Sequence, residues 1–276
     1  MKTARYPISD AADHVAWLVE NSSALLGAEP SEAQALALLA GYDIATGHSL
    51  LRGFQEWLVA RDGGGYNIHW SGLAPTVATA SRQSGPEVTV VMADQSGSAI
   101  LDLVVTYLDE VDGPIGRRRL YARYEALYPP DPLSEDYALT RDTASSDSTP
   151  PDPRDHLRGV LSVQRQIFSH KITTDEALAF VLGYDLSCGR SLLREFPEWL
   201  VVKLGGGHGV PWMQLLPRLA SGVGPGDLAP ADTEDDPAGA RSLEIVIEYL
   251  DDVADLAGRR CLYAAYERRL TADGLA

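Results

Sequence analysis

The sequence predicts an all-α protein in which one domain of five or six helices occurs twice, with a linker between the two copies. Three observations support this prediction. An internal repeat recurs at a fixed offset, apolar residues follow helical spacing in each copy, and a Pro- and Ser-rich segment separates the copies.

A single shift, which places Gly41 on Gly183, aligns the two halves of the chain. Under this repeat offset, residues 41–75 match 183–217 at 19 of 35 positions, and residues 107–125 match 249–267 at 12 of 19. No net insertion separates these blocks, so the agreement is not accidental. The predicted boundaries are 1–127 for the first copy, 128–153 for the linker and 154–276 for the second copy.

The linker is rich in Pro, Ser, Thr and Asp. A segment of this composition buries too little apolar surface to offset the entropy lost on ordering. We therefore expect it to connect the copies without joining either core.

Apolar residues in the first copy recur at three- and four-residue steps, which indicates amphipathic helices. The apolar clusters begin at Val15, Ala35, Leu50, Leu101 and Leu120, and a short further helix is predicted near Trp70. Ser49 is placed to cap the third helix, and Gly63-Gly64-Gly65 is placed to end it. Apolar residues kept in both copies are expected in the core: Phe54/Phe196, Trp57/Trp199, Trp70/Trp212 and Leu73/Leu215.

One segment departs from the helical pattern. Residues 87–92 of the first copy have strand character, whereas their counterparts, 229–234, carry a proline and two acids. Any strand in the first copy is therefore expected to be peripheral.

Composition excludes several classes of function. The net charge of −16 has the wrong sign for a general nucleic-acid binder, and it favours either a basic protein partner or simple solubility. No stretch approaches the roughly 20 apolar residues of a membrane span. The amino terminus has no apolar signal region, so we expect a cytoplasmic protein.

No cofactor or metal motif stands out. Cys188 and Cys261 lie opposite Thr46 and Arg119 of the first copy, so the copies share no disulfide or metal framework. The sequence predicts neither a metal site nor a cofactor.

The polar residues kept in both copies are candidates for a structural role or for a polar cleft. Arg52 precedes Glu56 by four residues, which is the weaker order for a helical ion pair. We therefore expect Arg52 to be partly buried and paired with Asp43, and a cleft there would also include Tyr121 and Tyr124. The full set is Asp43, Arg52, Glu56, Asp109, Arg117 and Arg118, with counterparts Asp185, Arg194, Glu198, Asp251, Arg259 and Arg260.

Charges flank the turn between the last two helices of each copy. Asp109 and Glu110 lie at a helix carboxyl end, and Arg117 and Arg118 lie at the next amino end, so the helix dipole disfavours each charge alone. Facing one another, they would form an ionic clasp. The alternative is that the arginines bind an anion or a partner.

Signals of catalysis are weak. His14 and His156 are the only histidine pair at matching positions, and each follows an aspartate near a helix start, where capping is the ordinary role. No nucleophile, zinc or dinucleotide motif is present. We assign no catalytic residue and expect a binding protein, with an enzyme or small-molecule sensor as the alternative.

The copies differ most in residues 76–96 and 218–238. Variable loops on a retained scaffold are where recognition usually occurs. The second-copy loop is acidic, and we predict that it contacts a basic protein partner, as in an immunity or adaptor protein. Its acidic residues are Asp227, Asp232, Glu234, Asp235 and Asp236.

Overall fold

The structure is a computed structural model that describes residues 8–26, 29–48, 50–83, 96–111, 113–128, 152–168, 171–189, 191–224 and 238–275. Across these ranges all regular secondary structure is helical, as the apolar spacing predicted. The helices are α1 Ile8–Leu26, α2 Glu32–Ala45, α3 Phe54–Asp62, α4 Trp70–Gln83, α5 Ser96–Val111, α6 Gly113–Leu127, α7 Pro153–Phe168, α8 Thr174–Ser187, α9 Phe196–Leu204, α10 Trp212–Ala220, α11 Ala238–Asp252 and α12 Leu256–Ala272. The strand considered at 87–92 lies outside the described residues.

The chain divides into two compact units. The first comprises Met1–Leu36 and Thr46–Pro150, and the second comprises Ala37–Ala45 and Pro151–Ala276. The carboxyl-terminal part of α2 therefore belongs to the second unit.

The core of the first unit forms around α3 and α5. Helix α5 packs against α1, α4 and α6, and α3 packs against α4 and α6. The shared interior contains fully buried side chains from several helices, including Val15, Phe54, Leu58, Ile100 and Leu101. Their burial accounts for the apolar spacing in the sequence.

The second unit repeats four of these helix pairs and adds a contact between α8 and α11. Helix α11 packs against α7, α8 and α10, and α9 packs against α10 and α12. Its interior includes Leu157, Phe196, Leu200, Leu243 and Val246, all with little or no exposed surface.

Reciprocal capping boxes start α2 and α8. The Thr173 hydroxyl accepts from the Glu176 N–H at 3.3 Å, and the Glu176 carboxylate accepts from the Thr173 N–H at 2.8 Å. Ser31 and Gln34 make the same two bonds before α2, at 3.2 and 2.9 Å. Each box satisfies two backbone donors that a helix start leaves unpaired.

The predicted start of the third helix is wrong. Leu50–Gly53 form a bend and turn, and α3 begins at Phe54 with Gly53 as its N-cap residue. Ser49 itself lies outside the described residues. The predicted stop is confirmed, because Gly63 adopts φ 79° and its N–H donates to the Val59 carbonyl.

Most of the predicted aromatic core is confirmed. Phe54 and Phe196 are fully buried, and Trp57 and Trp199 are 3% and 2% exposed. Trp70 and Trp212 are only half-buried, and each ring is tilted against the ring of Phe54 or Phe196 respectively.

Two glycines let helices approach closely inside the second unit. A Cβ at Gly183 would overlap the Leu38 carbonyl oxygen, and a Cβ at Gly41 would overlap the Phe180 carbonyl oxygen. Leu38 and Phe180 are related by the same offset as the two glycines, so the contacts are reciprocal. Segment Ala37–Ala45 thus packs on α8 by backbone-to-backbone contact that any larger residue would block.

Candidate functional site

The aspartates at positions 43 and 185 are both buried, each 8% exposed. Asp185 Oδ1 accepts from the Leu193 backbone N–H at 3.0 Å. Leu193 lies in the turn that leads from α8 into α9, so this carboxylate holds the turn against the end of α8. A buried carboxylate without such a donor would carry a large desolvation penalty.

The expected burial of the arginines is wrong. The side chains of Arg52 and Arg194 are both exposed. The reason is visible in the second half of the chain, residues 154–276, where the Asp185 carboxylate accepts from a backbone amide. Arg194 is therefore left to be solvated, which a guanidinium tolerates well.

A group of acids and tyrosines lies beside this turn in the second unit. The Tyr249 hydroxyl accepts from the Glu195 backbone N–H at 3.3 Å and lies 3.5 Å from Glu195 Oε2. The Tyr263 hydroxyl lies 3.5 Å from Glu195 Oε1. Burial, and then Glu195 and Glu198, raise the pKa of Tyr263, since nearby negative charge opposes a phenolate.

The first half, residues 1–127, differs from the second half at the turn before α3, because residue 53 is a glycine. Gly53 corresponds to Glu195, and the Tyr107 hydroxyl donates to the Arg52 carbonyl. A Cβ at Gly53 would lie 3.3 Å from the Tyr121 hydroxyl. The Tyr107 hydroxyl therefore binds a backbone carbonyl here, whereas the Tyr249 hydroxyl in the second unit lies beside the Glu195 carboxylate.

Each half also contains a cluster of one tryptophan, one acid and one base. The indole Nε1 of Trp57 donates to Glu110 Oε2 at 2.7 Å. Arg61 lies 4.9 Å from the centre of the indole ring and 3.7 Å from Glu110 Oε1. The acid satisfies the buried indole N–H, and the guanidinium packs on the ring face.

The second half repeats this cluster with different residues. Trp199 Nε1 donates to Asp252 Oδ2 at 2.9 Å. Lys203 Nζ lies 3.1 Å from the same oxygen and 4.7 Å from the ring centre. A comparison of the two halves for identical residues misses these clusters, because Arg61/Lys203 and Glu110/Asp252 share only their charge.

The tryptophans also have matching aromatic surroundings. Trp57 stacks on Phe54 at 5.9 Å and meets Tyr107 edge-on at 5.9 Å. Trp199 makes the corresponding contacts, each at 6.0 Å, with Phe196 and Tyr249.

The expected ionic clasp between the last two helices is not the arrangement found in the second unit. Asp251 pairs instead with Arg154 at 3.3 Å and Arg158 at 3.1 Å, both on α7. Arg259 Nε donates to the Val253 carbonyl at 3.2 Å, which satisfies one backbone acceptor at the end of α11. Arg260 is exposed.

In the first half, the residues of the expected clasp are placed as follows. Asp109 and Arg118 are exposed, and Arg117 is half-buried. Arg117 Nε has no hydrogen-bond partner among the described residues. The Glu110 carboxylate accepts a hydrogen bond from Trp57 Nε1, which explains why it does not pair with Arg117 or Arg118.

The matching histidine is not a cap in the second unit. His156 Nδ1 lies 3.0 Å from the Tyr184 hydroxyl. The capping role belongs to Asp152, whose Oδ1 accepts from the Arg154 backbone N–H at 2.9 Å. Burial raises the pKa of Tyr184, with further contributions from Cys188 and Asp152.

The acidic loop predicted to bind a partner lies in residues 225–237, outside the described residues. Among the residues that are described, no group of three or more His, Cys, Asp or Glu side chains is arranged to hold a metal ion. Cys188 and Cys261 are free thiols. None of the described helices combines the length and apolar character needed to cross a membrane.

No protein-family profile, curated protein or solved structure matches this chain. The function must therefore be argued from the residues themselves.

Proposed function

We propose that this chain is an acidic cytoplasmic protein-binding module that recognises a basic protein partner, in the manner of an immunity or adaptor protein. One observation carries the proposal: polar residues present in both halves are used to hold helices together. Asp185 fixes a turn, Asp252 satisfies an indole, and Arg259 binds a helix end. Asp185 and Arg259 thus have structural roles, and the net acidic charge remains as the property that suggests a function.

We also propose that the module consists of two copies of one helical domain. The fixed repeat offset supports this, and so do the matched tryptophan clusters and capping boxes. Duplication explains why the acid–base–indole geometry recurs although its residues differ. Retained geometry with changed residues is expected when packing, and not chemistry, constrains a position.

The charge supports a basic partner. The chain has 39 acidic and 23 basic side chains, which leaves a net charge of −16. Such a surface repels nucleic-acid phosphates and accelerates encounter with a positively charged protein.

The acidic loop of the second half is the place to test this proposal. The partner is first identified by affinity capture and mass spectrometry, and then purified. Asp232, Glu234, Asp235 and Asp236 are replaced by their amides, and association is followed by surface plasmon resonance at low and high salt. We expect a slower on-rate, a flatter salt dependence and unchanged thermal stability.

A control variant separates the loop from total charge. Amides at Asp131, Glu135, Asp136 and Asp142 in the linker change the net charge equally. Equal on-rates for both variants and the wild-type protein at low salt would show that the loop is only solubilising.

A second candidate function is a small-molecule sensor or enzyme with a polar cleft, at Asp43, Arg52 and Glu56 or at the equivalent residues of the second half. It is favoured by one observation: Glu198 Oε2 is buried and has no hydrogen-bond partner among the described residues. A thermal-shift screen of small cationic metabolites against the wild-type protein and Glu198→Gln tests it. Stabilisation of the wild-type protein alone would favour this function over protein binding.

A further inference from the structure

Helices α2 and α8 meet at a reciprocal contact centred on two glycines. The Gly41 backbone lies against the Phe180 carbonyl so closely that an added Cβ would overlap its oxygen. The Gly183 backbone lies against the Leu38 carbonyl in the same way. All four residues belong to the second unit, which includes Ala37–Ala45. The contact is therefore internal to one compact unit, although its two sides come from different halves of the sequence.

The repeat offset, which relates Gly41 to Gly183, also relates the residues that these glycines touch. A Cβ at Gly41 would lie 3.1 Å from the Tyr184 backbone nitrogen. A Cβ at Gly183 would lie at the same distance, 3.1 Å, from the Tyr42 nitrogen. Exchanging each residue for its counterpart turns one side of the contact into the other. An interface in which residue i meets j and j meets i is self-complementary, as in a two-fold symmetric dimer.

The groups that make this contact belong to the backbone. Each glycine meets a carbonyl oxygen and a backbone nitrogen, which a helix presents whatever its side chains are. A Cα–H group against a carbonyl oxygen is a recurrent contact between closely packed helices. The residues at the crossing also agree, because Gly-Tyr-Asp occurs at 41–43 and again at 183–185. Each helix face therefore offers its partner what it would also offer a copy of itself.

Both faces are apolar and need to be covered. Leu38 of α2 is 2% exposed, and Phe180 of α8 is fully buried. The buried residues of α8 extend without a break from Glu176 to Leu186, although α11 covers only one side of this helix. A helix that is apolar all round needs cover on its other sides, and Ala37–Ala45 supplies part of it. Displacing this segment would expose apolar surface, which favours association.

We infer that the helix faces centred on Gly41 and Gly183 form a self-complementary docking surface. Either face pairs with the same face of a second copy of this chain when its partner within the chain is displaced. The occupant is a second copy because a copy brings a glycine and apolar neighbours to the required places. This surface is separate from the acidic loop of the proposed function, and neither depends on the other.

Within one chain the two faces cover each other, and this arrangement wins at low concentration. Because one polypeptide joins the faces, each meets the other at an effective concentration of up to the order of 1 mM for a flexible connection. A second chain at micromolar concentration does not compete with that. Pairing between chains therefore requires that one face be blocked, or that many chains fold together.

The test uses the full chain and three variants. Gly183→Leu blocks the α8 face and leaves the α2 face without its partner, and Gly41→Leu does the converse. Gly41→Leu/Gly183→Leu blocks both faces. Size-exclusion chromatography with light scattering measures the mass of each protein at equal concentration. We expect dimers to be about tenfold more abundant in each single variant than in the wild-type protein or the double variant.

Gly159→Leu is the matched control. A Cβ at this exposed glycine of α7 would meet nothing within 4 Å, so the variant adds apolar surface without touching the docking surface. It should remain a monomer. Circular dichroism checks that every variant keeps its helical content. Single variants that are folded and monomeric, or a double variant that dimerises as strongly as the single ones, would overturn the inference.

Wild-type chains provide the measurement if the leucine variants do not fold. Chains labelled with a donor dye and chains labelled with an acceptor dye are unfolded in urea, mixed and refolded together at high concentration. We expect energy transfer between chains after joint refolding, and none when the two preparations are refolded separately and then mixed. The milder Gly41→Ala/Gly183→Ala protein should lose the transfer, because both faces then carry a methyl group. No transfer in the wild-type protein, or equal transfer in this variant, would contradict the docking surface.

Discussion

The indole of Trp199 and the carboxylate of Asp252 are joined by a hydrogen bond of 2.9 Å between Nε1 and Oδ2. Trp199 is 2% exposed, so its N–H has little access to water as a substitute acceptor. The bond therefore connects the interior of the second unit to an acid at the end of α11.

Asp252→Ala should destabilise the protein. The substitution leaves the buried indole N–H of Trp199 without an acceptor, and we expect the free energy of unfolding to fall by about 1–2 kcal/mol. Asp252→Asn keeps an acceptor and should cost less, and Lys203→Ala removes only a half-exposed ion pair worth under about 1 kcal/mol. Urea unfolding measures all three. An Asp252→Ala protein as stable as the wild type would contradict the assigned role.

Asp185 and Arg194 should respond very differently to replacement. Asp185→Ala leaves the Leu193 N–H without its acceptor and should cost about 1–3 kcal/mol. Arg194→Ala removes an exposed side chain and should change stability by no more than about 0.5 kcal/mol. Chemical denaturation measures the stability of both variants. Equal losses in the free energy of unfolding would mean that the Arg194 side chain makes a stabilising contact.

The close approach at Gly183 predicts a steep response to a single methyl group. Gly183→Ala and Gly41→Ala each place a Cβ on a carbonyl oxygen and should cost about 1–3 kcal/mol through overpacking. Gly159→Ala is the matched control, because this glycine lies in α7 and a methyl added there would meet nothing within 4 Å. It should stabilise the protein by about 0.5–1 kcal/mol. Thermal melts in which Gly183→Ala or Gly41→Ala is as stable as Gly159→Ala would refute the contact.

Asp152 should remain ionised far into acid. Hydrogen bonding from Arg154, the largest contribution, lowers the pKa of Asp152 from 3.8 to about 2. A depressed carboxyl pKa contributes stability that is present above pH 3.8 and is lost as the pH falls toward about 2. Carboxyl-detected NMR follows the titration directly. Arg154→Ala should return the midpoint toward 3.8, and an unchanged midpoint would remove Arg154 as the cause.

The spacing of apolar residues predicted the helices, because a helix that buries one face in a core must carry apolar residues at that spacing. The apolar cluster beginning at Leu101 became α5, and the glycines after Asp62 ended α3 as the left-handed stop requires. The start of α3 was mispredicted for a related reason. Leu50 and Leu51 are buried from a turn, and a buried turn has the same apolar composition as a helix face.

The roles of the polar residues were harder to predict, because they depend on which backbone groups the turns bring within hydrogen-bond distance. The spacing of Arg52 and Glu56 does not reveal which group binds the nearby buried aspartate. In the second half the corresponding aspartate, Asp185, accepts from a backbone amide eight residues later. The tryptophan clusters could have been found by comparing charge instead of identity, since Arg61/Lys203 and Glu110/Asp252 conserve it. The capping boxes could have been found as well, from Ser31-x-x-Gln34 and Thr173-x-x-Glu176.

The contact of Gly41 with α8 also sets an order of events during synthesis. Segment Ala37–Ala45 is part of the second unit, yet Gly41 is translated well before Gly183. At ribosomal rates the interval is roughly 7–28 s. Throughout it, the apolar face of this segment has no α8 to pack on, and the long chain between them must close before the contact forms. The second unit therefore contains a segment that is synthesised well before the helix on which it packs.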